Sequence, residues 1–204
     1  MRAGRAEAAT AVLAAVLFCW LVVVTMDGSM AGFDETVRTH VHASAAPWLT
    51  ASVEVVTWLG AWGVLALFSG VSAAILLRAG RSWDAKLLLF TMAGAVVLEN
   101  ALKFLIQRPR PPPFFGTDPT TYSFPSGHAL FSLCFYGALA VVLSRMGARA
   151  IVWPATFVLV AAIGGTRIYL GVHYPTDVVA GYLVATAWLC AVLAVARTML
   201  SKRL

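Results

Sequence analysis

Two histidines lie in short polar segments of this apolar chain, each beside residues that suit chemistry at phosphorus. His173 in "YLGVHYPTD" precedes Asp177 by four residues, and Pro175 between them is typical of a first helical turn. A carboxylate one turn away can hold one imidazole nitrogen as N–H and leave the other nitrogen free to attack. His128 in "FPSGHALF" can protonate a departing oxygen. These residues predict a nucleophile, its orienting carboxylate and a general acid.

Cationic side chains in neighbouring segments predict a site for an anion. Lys103, Arg108 and Arg110 lie in "LKFLIQRPRPPP", and Arg167 lies in "GGTRIYLGV". Cations of this kind stabilise the charge on the equatorial oxygens of a transferring phosphoryl group, which is usually the largest single contribution to such catalysis.

The segment "PSGH" at 125–128 predicts a helix start beside these cations. Such a start, here at Ser126 and Gly127, offers free backbone N–H groups and a positive dipole end, and glycine lets the backbone approach a ligand. A doubly charged tetrahedral phosphate uses this many donors, whereas a carboxylate needs fewer. The combination predicts phosphoryl transfer that needs no metal ion.

The elements that must position these residues are membrane helices. Of 204 residues, 60% are hydrophobic and 12% are charged, and the mean hydropathy is +0.83, too apolar for a soluble globule. Six stretches are long enough to cross a bilayer: 8–26, 51–77, 85–106, 128–145, 150–169 and 178–196. The first is too long for a signal peptide and no clear cleavage site follows it. We therefore expect one all-α domain over 1–204, a polytopic bundle of six transmembrane helices.

The basic residues predict the orientation of this bundle. With the N-terminus inside, most of the 15 Lys and Arg residues fall on the inner side. The residues on that side are Arg2, Arg5, Arg78, Arg81, Lys86, Arg145, Arg149, Arg197, Lys202 and Arg203. The outer side receives Arg38 and the four cations of the polar motifs. We expect an N-in, C-in topology with an extracytoplasmic site, so the net charge of +6 does not indicate binding to nucleic acid.

The segment 33–49 after the first span predicts a short interfacial helix on the outer membrane surface. Phe33, Val37 and Val41 repeat every four residues and define an apolar face. Asp34 is expected to cap the start of this helix.

Three motifs in this chain resemble those of one family of membrane enzymes. Lys103 to Pro111 fits K-x6-R-P, residues 125–128 read "PSGH", and Arg167 to Asp177 fits R-x5-H-x3-D. In type, order and topology they resemble the type 2 phosphatidic acid phosphatase (PAP2) superfamily of integral membrane lipid phosphatases. The resemblance covers nearly the whole chain and implies a six-helix bundle with its site on the outer side.

The resemblance also implies a role for each matching residue. His173 is expected to form a phosphohistidine, Asp177 to orient it and His128 to protonate the leaving group. The phosphoryl oxygens are expected to be held by Lys103, Arg110, Ser126, Gly127 and Arg167. No metal and no other cofactor are expected. Thr166 replaces the serine usual in the family but keeps a hydroxyl.

Two residues beside these motifs have less certain roles. Arg108 offers a competing K-x4-R-P frame. We favour Arg110 as the phosphate ligand and expect Arg108 to assist, through contacts with lipid headgroups. Glu99 precedes Lys103 by four residues, so the two share a helix face. An ion pair that holds Lys103 is expected, and a direct catalytic role for Glu99 is the alternative.

Two alternative functions are consistent with these residues. The first is a phosphatase of the bacterial cytoplasmic membrane that acts on a lipid phosphate. Its candidate substrates are phosphatidylglycerol phosphate, phosphatidic acid and, slightly favoured by analogy, an isoprenoid diphosphate such as undecaprenyl diphosphate. The second is a small anion transporter or channel. Transporters usually bind near the membrane midplane between repeated halves, and the sequence contains no visible repeat.

Overall fold

The structure is a computed structural model that describes residues 2–116 and 120–201. These ranges contain eight helices and no strand, so the all-α prediction is confirmed. The helices are α1 (Arg2–Met26), α2 (Ala31–Ala43), α3 (Pro47–Trp58), α4 (Trp62–Arg78), α5 (Ser82–Ile106), α6 (Gly127–Ser144), α7 (Arg149–Tyr169) and α8 (Pro175–Ser201). Of the basic residues expected inside, Lys202, Arg203 and the side chain of Arg2 lie outside the described part.

Within the described residues, five helices are long and apolar enough to cross a membrane, namely α1, α5, α6, α7 and α8. The predicted second span is divided into α3 and α4, which meet at 47° and form a sixth crossing if they are taken together. At the break, a Cβ on Gly60 would lie 2.4 Å from Cγ2 of Ile163 and 3.2 Å from Cδ2 of His128. Glycine therefore lets the broken span pack closely against α6 and α7.

The core of the bundle lies around α6. In its apolar window 61% of the residues are buried, against 17% for α1, and α6 packs against α4, α5, α7 and α8. The outward faces of the other helices carry large apolar side chains, such as Phe104 and Phe157, which are 72% and 76% exposed. Apolar surface of this extent is typical of contact with lipid. The chain is a polytopic membrane protein.

Helix α2 confirms the short helix after the first span, and the residues that it buries within the protein are charged. The buried residues are Asp34 and Arg38, whereas Phe33 is exposed. Asp34 does not cap α2, because the N-cap position is Met30 and no side chain caps it. The Asp34 carboxylate instead points at the start of α8, where Thr176 donates to it. Local periodicity could not reveal this partner, which lies 142 residues further along the chain.

Another buried carboxylate lies at the start of α5. Asp84 pairs with Arg81 at 2.7 Å and with Arg145 at 2.6 Å. Lys103 lies at the far end of the same helix, about 30 Å away at the ordinary helical rise. The ion cluster around Asp84 and the candidate site are therefore at opposite ends of the bundle.

Candidate active site

The segment between α7 and α8 brings His173 against Asp177. His173 is 2% exposed and Asp177 lies fully buried in the first turn of α8. Nδ1 of His173 is 3.3 Å from Oδ2 of Asp177, and the backbone N–H of Tyr174 donates to the same oxygen at 2.9 Å. An acceptor at Nδ1 favours the tautomer that carries its proton there. The other ring nitrogen, Nε2, is then unprotonated and carries the lone pair.

Arg110 lies beside that second nitrogen. Its Nη1 is 3.0 Å from Nε2 of His173 and donates to the carbonyl of Val172 at 2.7 Å. Its Nε donates to the carbonyl of Thr121 at 2.6 Å. The guanidinium is therefore held where a phosphoryl group attached to Nε2 would need positive charge.

The surroundings of His173 keep its imidazole neutral at ordinary pH. Burial lowers the pKa of His173 from 6.5 to about 4, although the hydrogen bond and charge of Asp177 act in the opposite direction. The positive charges of Arg110 and Arg167 lower it further. A neutral imidazole retains the lone pair that a nucleophile needs.

Lys103, near the end of α5, is held by a carboxylate and close to a hydroxyl. Its Nζ is 2.6 Å from Oε1 of Glu99, so the expected ion pair is present. The same Nζ is 3.5 Å from Oγ1 of Thr121, which also accepts from Nη2 of Arg110 at 3.1 Å. Thr121 thus links two of the predicted phosphate-binding cations. No sequence signal had distinguished this threonine.

The start of α6 lies against the Glu99–Lys103 pair. A Cβ on Gly127 would lie 2.9 Å from Oε1 of Glu99, so this close approach depends on glycine. The N–H of Ser126 donates to the carbonyl of Asp177 at 2.9 Å, which ties α6 to α8. Within the described ranges, the buried Oγ of Ser126 has no hydrogen-bond partner. A buried hydroxyl without a partner is costly unless a ligand satisfies it.

His128 and Arg167 line one cavity of about 500 Å³, whose walls also include Thr57, Trp58 and Phe115. Nη1 of Arg167 donates to Oγ1 of Thr57 at 2.8 Å. Its buried Nε has no partner among the residues that the structure describes. The cavity therefore combines an imidazole and a guanidinium with polar and aromatic walls.

The predicted residues form one cluster around His128. The His128 imidazole interacts electrostatically with His173, Lys103, Arg110 and Arg167. The nucleophile, the general acid and the cations predicted from three separate motifs thus lie at one end of the bundle.

The structure places Arg108 between two carboxylates. Its side chain is 12% exposed, and it pairs with Oδ1 of Asp177 at 2.6 Å and with Oδ2 of Asp34 at 2.8 Å. Its guanidinium lies over the ring of Tyr174, 4.1 Å from the ring centroid. Arg108 therefore binds two buried carboxylates, one of which contacts Nδ1 of His173. Arg110 is the arginine beside Nε2 of His173.

Comparison with known proteins shows similarity to one family of membrane enzymes. The sequence profile of the PAP2 superfamily matches residues 84–200. The chain is 29% identical over 154 residues to phosphatidylglycerophosphatase B of Bacillus subtilis, covering 73% of this chain and 76% of that protein. It is 33% identical over 150 residues to a lipid A 1-phosphatase of Rhizobium johnstonii, covering 64% of this chain and 58% of that protein.

A solved structure shares the fold. The crystal structure of a transmembrane PAP2-type phosphatidylglycerolphosphate phosphatase from Bacillus subtilis superposes with a TM-score of 0.84 at 26% identity. The superposition covers 95% of this chain and 96% of that one. The profile match, these relatives and the shared fold show that the chain belongs to the PAP2 superfamily of membrane lipid phosphatases.

Proposed function

We propose that this protein hydrolyses a lipid phosphate in two steps through a phosphohistidine at His173. One observation carries this proposal: His173 lies between Asp177 at Nδ1 and Arg110 at Nε2. The carboxylate orients the ring, and the guanidinium stands where charge develops on the transferred group. The chain is proposed to act as a single domain over residues 1–204.

In the first step, Nε2 of His173 attacks phosphorus and an N–P bond forms. The bond between phosphorus and the leaving oxygen breaks, and His128 gives that oxygen a proton. The lipid leaves as an alcohol, or as a monophosphate if the substrate is a diphosphate. Asp177 stabilises the positive charge that develops on the His173 ring.

In the second step, water attacks phosphorus and the N–P bond breaks. His128, now neutral, takes a proton from the water, and inorganic phosphate leaves. His173 returns to its neutral form with its proton on Nδ1.

The phosphoryl oxygens are held by Lys103, Arg110, Arg167 and the start of α6 at Ser126 and Gly127. The Ser126 hydroxyl and the Arg167 Nε, which lack partners within the described part of the chain, are the donors that a phosphoryl group would satisfy. Three cations and a helix start supply the positive charge that phosphoryl transfer requires, so we propose catalysis that needs no metal ion.

We propose that the substrate is a lipid of the outer leaflet of a bacterial cytoplasmic membrane. The proposed site lies on the side that receives few basic residues, which is the extracytoplasmic side in an N-in, C-in topology. Trp58 and Phe115 line the cavity beside His128 and suit the apolar part of a lipid. Phosphatidylglycerol phosphate is the first substrate to test, because the relatives matched over most of their length carry that name. Phosphatidic acid and undecaprenyl diphosphate are the other candidates.

Phosphate release by the purified protein in detergent tests this function. We expect inorganic phosphate from at least one of the three lipids, and complete loss of its release in His173→Ala. The matched control is His40→Ala, an exposed histidine of α2 that should leave activity unchanged. Release that persists in His173→Ala would refute the nucleophile assignment. Absence of release from every lipid would favour the anion transporter, which forms no covalent intermediate.

A further inference from the structure

Asp34 is a buried carboxylate that the proposed reaction does not use. It is 0% exposed although it lies in α2, outside the longer helices of the bundle. Its Oδ1 accepts from the N–H of Thr176 at 3.0 Å, and its Oδ2 accepts from Oγ1 of Thr176 at 2.6 Å. Thr176 is in the first turn of α8, whose N–H groups have no partner within the helix. Asp34 therefore caps α8 from another helix.

The same carboxylate also binds the arginine that contacts Asp177. Nη2 of Arg108 donates to Oδ2 of Asp34 at 2.8 Å, while its Nη1 donates to Oδ1 of Asp177 at 2.6 Å. Asp177 in turn contacts Nδ1 of His173. A continuous line of contacts thus runs from Asp34 through Arg108 and Asp177 to the imidazole.

The charges along this line explain why a second carboxylate matters. Arg108 alone would neutralise Asp177 and weaken its attraction for positive charge on His173. Because Asp34 shares the guanidinium, the group of two carboxylates and one cation keeps a net negative charge beside the ring. Burial keeps these interactions strong, since little water screens them.

His173 is also faced by groups from other elements. It interacts with Arg110 from the loop between α5 and α6, with Arg167 from α7 and with His128 from α6, in addition to Asp177 from α8. The arginines both carry positive charge. Asp177 and the carboxylate behind it must therefore supply the negative charge that favours an imidazolium in the transition state.

We propose that Asp34 is a positioning residue for phosphoryl transfer: it holds Arg108 and the start of α8 so that Asp177 stays fixed and negative beside His173. This role rests on the nucleophile assignment proposed above. Asp34 touches neither substrate nor the reacting atoms, and it acts through Arg108, Thr176 and Asp177.

Two measurements on Asp34→Asn test this role, turnover of the lipid phosphate and the NMR titration of the His173 ring. We expect kcat to fall about tenfold with KM nearly unchanged, because orientation and charge act on the transition state. The titration midpoint of His173 should move to lower pH, because loss of a negative charge disfavours the protonated ring.

A variant that removes a positive charge instead of a negative one separates this role from simple loss of structure. Arg108→Gln should move the His173 midpoint to higher pH, and the charge-balanced Asp34→Asn/Arg108→Gln should return it toward the wild-type value. The matched control is Asp84→Asn, which removes another buried carboxylate that binds two arginines, at the opposite end of α5. It should lower stability without moving the midpoint.

A midpoint that stays at the wild-type value in both folded Asp34→Asn and folded Arg108→Gln would overturn the role of Asp34. If the charge variants do not fold, Thr176→Val tests the role of Asp34. This variant keeps all charges and removes the hydroxyl contacts with Asp34 and Arg108. Lower kcat at constant KM is expected there, and unchanged kcat would overturn the role. The nucleophile assignment is judged separately, since it fails only if His173→Ala remains active.

Discussion

Nη1 of Arg110 lies 3.0 Å from Nε2 of His173, and the carbonyl of Val172 fixes the same Nη1 at 2.7 Å. In the proposed reaction Nε2 attacks phosphorus, so this guanidinium would lie beside the transferred group. The opposite nitrogen is already in contact with Asp177. The geometry therefore gives the two ring nitrogens different tasks.

Replacing Arg110 by lysine should reduce catalysis although the positive charge is kept. Arg110→Lys keeps the positive charge but loses the planar set of donors that contacts His173, Val172 and Thr121. We expect kcat/KM to fall on the order of 10²-fold, as for loss of one donor to a transition-state oxygen. Arg149→Lys, an exposed arginine at the start of α7, should leave kcat/KM unchanged in the same assay.

The His173 ring should become protonated at a pH well below that of an ordinary histidine. Its pKa is lowered to about 4, so the neutral ring persists as pH falls through 6.5 and is lost only near 4. NMR titration of the four histidines, with the His173 signal identified by its absence in His173→Gln, measures this directly. A midpoint at or above 6.5 would contradict the burial argument.

Chelators should not reduce the activity, because Lys103, Arg110 and Arg167 are proposed to supply the charge that a metal ion supplies elsewhere. Phosphate release measured after dialysis against EDTA checks this. Vanadate should inhibit, since it adopts a trigonal bipyramid when an imidazole binds it. Activity that disappears in EDTA and returns with a divalent cation would contradict the proposed chemistry.

Gly127→Ala should impair catalysis by displacing the carboxylate that holds Lys103. The new Cβ would lie 2.9 Å from Oε1 of Glu99, the oxygen that holds Lys103 at 2.6 Å. Because Glu99 is flexible, the carboxylate can move away, and we expect about a tenfold loss of kcat/KM with about 1–3 kcal/mol of stability lost. In Gly63→Ala, the control on α4, a Cβ would meet nothing within 4 Å. That variant should retain full activity, and equal losses in both would exclude the proposed contact.

The sequence predicted the helices and the meeting of the three motifs because both leave local signals. Apolar stretches of membrane length located α5 to α8, and motif spacing pointed to His173, Asp177 and Arg110. Among the residues that hold this cluster, Glu99 was predicted as the partner of Lys103, whereas Thr121 was missed. Thr121 acts through its backbone carbonyl and one hydroxyl, neither of which produces a pattern.

The cap expected at Asp34 was wrong for a related reason. The apolar repeat of α2 marks the face expected to lie on the membrane, and it gives no sign that Asp34 and Arg38 are buried within the protein. The partners of Arg108, Asp34 and Asp177, lie 74 and 69 residues away in the sequence, so local spacing does not reveal them. Burial of a charge depends on a partner, and the position of that partner is set by the tertiary fold.

The long separation between Asp34 and Thr176 has a consequence for biosynthesis. Asp34 is synthesised 142 residues before the helix start that it caps, a delay on the order of ten seconds at ordinary translation rates. Until α8 has been made, Asp34 lacks Thr176 and Arg108 lacks Asp177. The end of the bundle that holds His173 and Asp177 is therefore completed only after the other helices have been made.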